Sequence, residues 1–147
     1  MTAAVIEEFH EMILEISTDS GATWSKICGM TDVTVNRTTN VDSTEIPDCD
    51  DESLPFNLVK KVRSKEMTVS GTGVWARGSQ GMMKTWYHDG LQYLTRIHDS
   101  AAASGDIAYE QGTAILSNYS TSRTKGQSVT AEIELQFSGV VTTTNAA

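Results

Sequence analysis

The sequence predicts a mainly β domain, a sandwich or barrel with one flanking α-helix. Three observations carry this prediction. The stretch Gln127 to Val141 alternates Val129, Ala131, Ile133, Leu135 and Phe137 with Thr130, Glu132, Glu134, Gln136 and Ser138. Successive side chains of a strand point to opposite sides, so this is a long strand with one dry face and one wet, acidic face. Shorter alternating stretches recur at Met12–Ile16, Thr31–Arg37 and Lys65–Trp75, each next to turn-forming residues. Helical spacing is convincing only over Ser79–Asp89, where Met82, Met83, Trp86 and Tyr87 form an apolar stripe, Ser79 is placed to cap and Gly90 to terminate.

A chain of 147 residues with 39% hydrophobic composition is sized for one core. The expected organisation is a single domain over 1–147, with an arm over 1–10, a long acidic loop over 38–55 and a short tail over 142–147. The net charge of −8 argues against tight binding to a nucleic-acid backbone, because that affinity comes from Lys and Arg neutralising phosphates. Two cysteines, Cys28 and Cys49, form no C-x-x-C pair and read as free thiols, with a bridge between them as the alternative. No apolar run is long enough to span a bilayer, so no membrane partner is expected.

In chain order, the first strand runs through Met12, Leu14 and Ile16 into a legible turn, Ser17-Thr18-Asp19-Ser20-Gly21-Ala22-Thr23-Trp24. Asp19 can accept from turn N–H groups, Gly21 can take positive φ and Trp24 can pack back over the hairpin, whose second strand is Trp24–Cys28. The octapeptide resembles the Asp-box of sialidases, but it occurs once, without the blade-spaced copies of a propeller, so it reads as a hairpin staple.

After the Thr31–Arg37 strand, residues 38–55 carry Asp42, Glu45, Asp48, Asp50, Asp51 and Glu52. Asp48, Asp50 and Glu52 have the spacing that begins a calcium loop, yet Ser53 stands where a glycine is needed and Val59 where the closing Glu is needed, so no metal is expected. The basic residues Lys60, Lys61, Arg63 and Lys65 follow directly, and the two segments read as charge partners within a surface or between subunits. The strand Lys65–Trp75 contains Gly71 and Gly73, which predict a bend or a close backbone approach. Tyr93–His98 and Ile107–Ser120, interrupted at Gly112, are further strands, and 120–126 is a polar turn. His10, His88 and His98 lack ligand spacing, and there is no Ser–His–Asp grouping, phosphate loop or dinucleotide fingerprint, so neither cofactor nor catalytic residue is expected.

The succession ISTDSGATW, TDVTVNR, an acidic segment, KEMTVSGTGVW, MMKTWYHDG, IAYEQGTAILSNYS and GQSVTAEIELQFSG resembles the major tail tube proteins of bacteriophages with long non-contractile tails and of gene transfer agents. Related tubes occur in contractile tails and type VI secretion. The resemblance implies a six-membered ring whose subunits each give four strands to a continuous inner β-barrel. It implies that the rings stack into a tube in the virion tail, put together in the bacterial host cytoplasm. The implied partners are other copies of the chain, a tape-measure protein and a tail terminator, with double-stranded DNA passing through unheld.

Under this reading the lumen face carries Asp32, Thr34, Asn36, Glu66, Thr68, Ser70, Thr130, Glu132, Glu134 and Gln136. Contacts between subunits or rings fall to Asp42, Glu45, Asp48, Asp50, Asp51, Glu52, Lys60, Lys61, Arg63 and Lys65. The competing expectation is a monomeric β-sandwich that binds a carbohydrate-like ligand through the hairpin motif and exposed aromatics such as Tyr93, Tyr109 and Tyr119. Carboxylates alone, without a cleft or a partner, do not make an enzyme site.

Overall fold

The structure, a computed structural model, describes residues 3–147. It contains β1 (Met12–Ser17), β2 (Ser25–Lys26), β3 (Met30–Ile46), β4 (Asn57–Val74), α1 (Arg77–Asp89), β5 (Tyr93–Asp99), β6 (Ile107–Ser122) and β7 (Thr130–Asn145). The strands form one antiparallel sheet in the order β2-β1-β5-β6-β7-β4-β3. Leu14 on β1 and Val33 on β3, from opposite ends of that order, line the same groove, so the sheet curls until its apolar face encloses itself. The expected sandwich is therefore made by one sheet folded over its own core.

That core joins Leu14, Ile16 and Ile97 from one arm of the curl to Met67, Val69, Ala114, Leu116, Ile133 and Leu135 from the other. Burying each large aliphatic side chain stabilises the fold by about 1.5–3 kcal/mol, which fixes which face turns inward along each strand. Gly73 has the close backbone approach that its sequence position predicts. A Cβ there would sit 2.2 Å from the Gly29 carbonyl oxygen, where the chain enters β3.

The helix packs one face into this core. Met83 and Trp86 are fully buried, and the Trp86 indole donates to the Leu91 carbonyl at 2.7 Å. Gly90 ends the helix in the left-handed conformation, as expected. Two details differ from the sequence reading. The helix starts at Arg77 with Ala76 at the N-cap, and Ser79 instead lies buried in the first turn, its hydroxyl accepting the Cys28 N–H at 3.0 Å. Satisfying an N–H between strands takes precedence over capping the helix's own end. Tyr87, expected in the buried stripe, faces outward.

Larger corrections concern the expected loop and tail. Residues 38–46 continue β3, and β4 begins at Asn57, so only 47–56 form a connection. The strand was hidden because its distal half packs on nothing in its own chain, and without a dry face there is no hydrophobic alternation to read. Likewise Thr142–Asn145 are the end of β7, paired through Gln111↔Thr142 to Ile107↔Asn145. A Thr-rich run forms a strand readily when a ladder is available. The expected arm over 1–10 is described from Ala3 onward: residues 3–8 have no regular structure, Phe9–Glu11 form a 3-10 turn, and Met1 and Thr2 lie outside the described residues. No helix is long and apolar enough to cross a membrane among the described residues.

Candidate functional site

Four adjacent strands, β3, β4, β7 and β6, bring the ten expected lumen residues onto one face in rows across the sheet. Asp32 stands opposite Thr72, which stands opposite Glu132, which stands opposite Ser120. Next comes Thr34, Ser70, Glu134 and Asn118, and then Asn36, Thr68, Gln136 and Ile115. Glu66 and Thr130 extend the face at its two ends, opposite Thr38 and Val74. Within these rows lie the carboxylates of Asp32, Glu66, Glu132 and Glu134 and no Lys or Arg. Most of their side chains are exposed, and the Gln136 amide donates along the strand to the Glu134 carboxylate at 3.4 Å.

The residues of β6 on this face, Ser120, Asn118 and Ile115, were missed by sequence reasoning. A register shift between Leu116 and Asn118 puts Ser117 out of pairing, so Ile115 and Asn118 share a face although alternation assigns them opposite ones. Thr72, by contrast, follows directly from the period of two in β4.

The second group of expected residues lies on the distal β3–β4 hairpin, which extends beyond the curled body. Asp42 stands opposite Lys61 and pairs with Arg63 at 3.6 Å, both side chains being largely exposed. The acidic tip instead binds itself. The Asp48 carboxylate accepts the N–H groups of Asp50 at 2.9 Å and Asp51 at 3.1 Å. Asp51 accepts the Ser53 N–H at 3.0 Å, and its hydrogen bonds from Ser53 lower its pKa. Lys60 and Lys65 stand opposite Ser43 and Thr39, and Glu45 opposite Leu58. Among the described residues, Arg63–Asp42 is thus the one ion pair joining the two charged segments within the chain.

The hairpin also carries an apolar stripe. Val41 faces Val62, with Leu58, Leu54 and Phe56 towards the tip, each between 50% and 62% exposed. By alternation along β3, Val41 continues the inward face of Val33 and Val35 out past the end of the core. Exposed apolar residues gathered on a projecting strand pair mark a surface for another protein.

The hairpin that follows β1 is stapled as its sequence predicts. The Asp19 carboxylate accepts from the Thr23 N–H at 2.9 Å, the Ser17 hydroxyl at 2.8 Å and the Thr23 hydroxyl, which together hold its pKa down at about 2. Arg96 lies 4.2 Å from the centre of the Trp24 ring and 4.9 Å from that of Tyr109, and pairs with Glu15 at 3.2 Å. The three tyrosines expected as ligand platforms are engaged in this way or in the core. Tyr93 packs on Trp86 and Tyr119 meets Trp75 edge to face. All three are half-buried, so they do not form the exposed platform that the carbohydrate reading expects. Cys28 and Cys49 are both free and exposed. No cluster of three or more His, Cys, Asp or Glu with metal-binding geometry occurs among the described residues.

The fold thus presents a polar four-strand face and a projecting hairpin with exposed apolar residues. Residues 7–143 match the family model of the phage tail tube protein, and the chain belongs to that family. It is a structural component of the virion tail. No curated protein matches the chain in sequence.

Solved structures share the fold at low identity. A chain from the tail of an empty gene transfer agent particle, refined with C6 symmetry, superposes with a TM-score of 0.75 at 11% identity, covering 95% of this chain and 99% of that one. The tail tube of SPP1 gives 0.65 at 16% identity, covering 95% and 79%. The sheath–tube complex of an extracellular contractile injection system gives 0.59 at 12% identity, covering 95% and 91%.

Proposed function

We propose that this tail tube protein closes into rings of six, in the C6 symmetry of the similar gene transfer agent tail, and that the rings stack into a conduit for DNA. One observation carries the proposal: the polar four-strand face is bounded on both sides by free backbone edges. β3 is the last strand of the sheet, so its outer edge has no neighbour among the described residues. On the other side β5 pairs with β6 only as far as Ala114, which leaves Ile115–Ser122 with β7 alone. Pairing the β3 edge of one copy with the Ile115–Ser122 edge of the next extends the sheet without interruption, and closure of the ring pairs both of these edges. A barrel with that many strands encloses an aqueous channel.

Turned inward, the face presents carboxylates and hydroxyls to a passing polyanion. Like charge keeps phosphates off the wall and offers them no specific hold. The chain then acts without catalysis or cofactor. The other partners are a tape-measure protein within the tube and a terminator at its end.

Negative-stain microscopy and size-exclusion chromatography of the purified chain across a concentration series test this reading. Rings or stacked tubes are expected above a threshold concentration. A compact monomer at every concentration contradicts it.

A further inference from the structure

The sheet divides near its middle. β4 pairs with β7 only over Thr68–Val74, so Asn57–Met67 have β3 on one side and, among the described residues, no strand on the other. β7 diverges after Gln136 and pairs onward only with β6. The fork between them is lined by Thr39, Lys65, Met67, Phe137, Val140 and Val141, with Val140 83% exposed. An unpaired strand edge of this length is a ready template for another strand.

The side chains along this edge have a distinctive chemistry. Lys60, Lys61, Arg63 and Lys65 supply positive charge, and the exposed Leu58 and Val62 supply apolar surface.

Residues 3–8 have the complementary chemistry and no strand partner. Val5 is 100% exposed and Ile6 73%, and they are followed by Glu7 and Glu8. Glu8 is already in the extended conformation. In its own chain this segment lies at the mouth between β1 and β3, where Glu7 and Glu8 line the same groove as Ile13 and Val33, and none of its residues lines the fork.

We propose that residues 3–8 of a second copy enter the fork and add as a strand along the Asn57–Met67 edge of β4, Glu7 and Glu8 meeting its lysines. The proposal rests on the tube reading, which supplies the second copy. A segment of six residues spans about 20 Å when extended, so it covers roughly half of the free edge.

The test places p-benzoylphenylalanine at Ile6 in the full-length chain, assembles tubes from equal parts of light and heavy isotope-labelled protein, and maps photocrosslinks by mass spectrometry. Crosslinks between light and heavy chains that end within residues 57–67 are expected. In parallel, the double variant Glu7→Lys/Glu8→Lys is expected to raise the threshold concentration for assembly about tenfold, and adding Lys60→Glu/Lys65→Glu to restore it to within about twofold. Tubes whose crosslinks fall within one chain or on another element overturn the proposal and leave the tube reading standing. So does a threshold unchanged by the charge reversal. A chain that stays monomeric throughout contradicts the tube reading and this proposal with it.

Discussion

Arg37 Nε donates to Glu110 Oε2 at 3.1 Å, joining the inward face of β3 to that of β6 across the open end of the curled sheet. A second hydrogen bond, from the Arg37 Nη2, makes the pair two-pronged, and Glu110 raises the arginine's pKa. These two strands are not neighbours, since β7 and β4 lie between them. The pair therefore fixes how tightly the sheet curls at the base of the projecting hairpin.

Arg37→Ala is expected to cost about 1 kcal/mol, the upper range for a partly exposed pair, and to lower Tm by about 2–4 °C. Hydrogen exchange should quicken in 38–46 and 57–66 and stay unchanged in β1. Uniform quickening across the chain, or none, contradicts a local brace.

The stripe on the distal hairpin gives a second prediction. Val41→Ser with Val62→Ser removes apolar surface that is already half or more exposed, so subunit stability should change by no more than about 0.5 kcal/mol. If the stripe's partner is another subunit, assembly should be lost. Thermal denaturation and microscopy of the same preparation check both statements, and a stable variant that still makes normal tubes removes the stripe from the interface.

Acid should loosen the first hairpin over a defined range. The Asp19 carboxylate is held at about 2, below its ordinary value of 3.8, chiefly by its hydrogen bonds from Thr23. A depressed carboxylate contributes stability above its unfolded pKa and loses it as pH falls through the folded value, so the loss runs from about 4 down to 2. An NMR titration of Asp19, with the Thr23 amide as a second probe, should show both moving together in that range. A midpoint near 4 contradicts the staple.

If the acidic face lines the channel, Glu132→Lys with Glu134→Lys leaves the inward-facing Ile133 and Leu135 untouched. Tubes should form while DNA ejection slows severalfold, as phosphates find cationic partners. Normal ejection from normal tubes counts against a guarding role for these glutamates.

The legible parts of the fold were those where burial imposes a pattern. Ala131, Ile133 and Leu135 against Glu132 and Glu134 gave β7 its inner half, and Asp19, Gly21 and Thr23 gave the turn after β1. The distal hairpin was illegible for the opposite reason: the stripe of Val41, Leu58 and Val62 is covered by nothing in its own chain, so no dry face marked it as strand. The polar face was readable on three strands and lost on β6, where the shift at Ser117 breaks the period of two. Which residues stand opposite each other, and where the sheet forks, depend on pairing between distant strands, which alternation along one strand does not encode.

A helical reconstruction of the assembled tube shows whether the face carrying Glu132 and Glu134 is the channel wall. The expected map has β3, β4, β7 and β6 of every copy in one continuous inner barrel, with the β3 edge of each paired to Ile115–Ser122 of the next and both glutamates facing the channel. A map in which α1 lines the channel, or in which these glutamates lie on the outer surface, contradicts it.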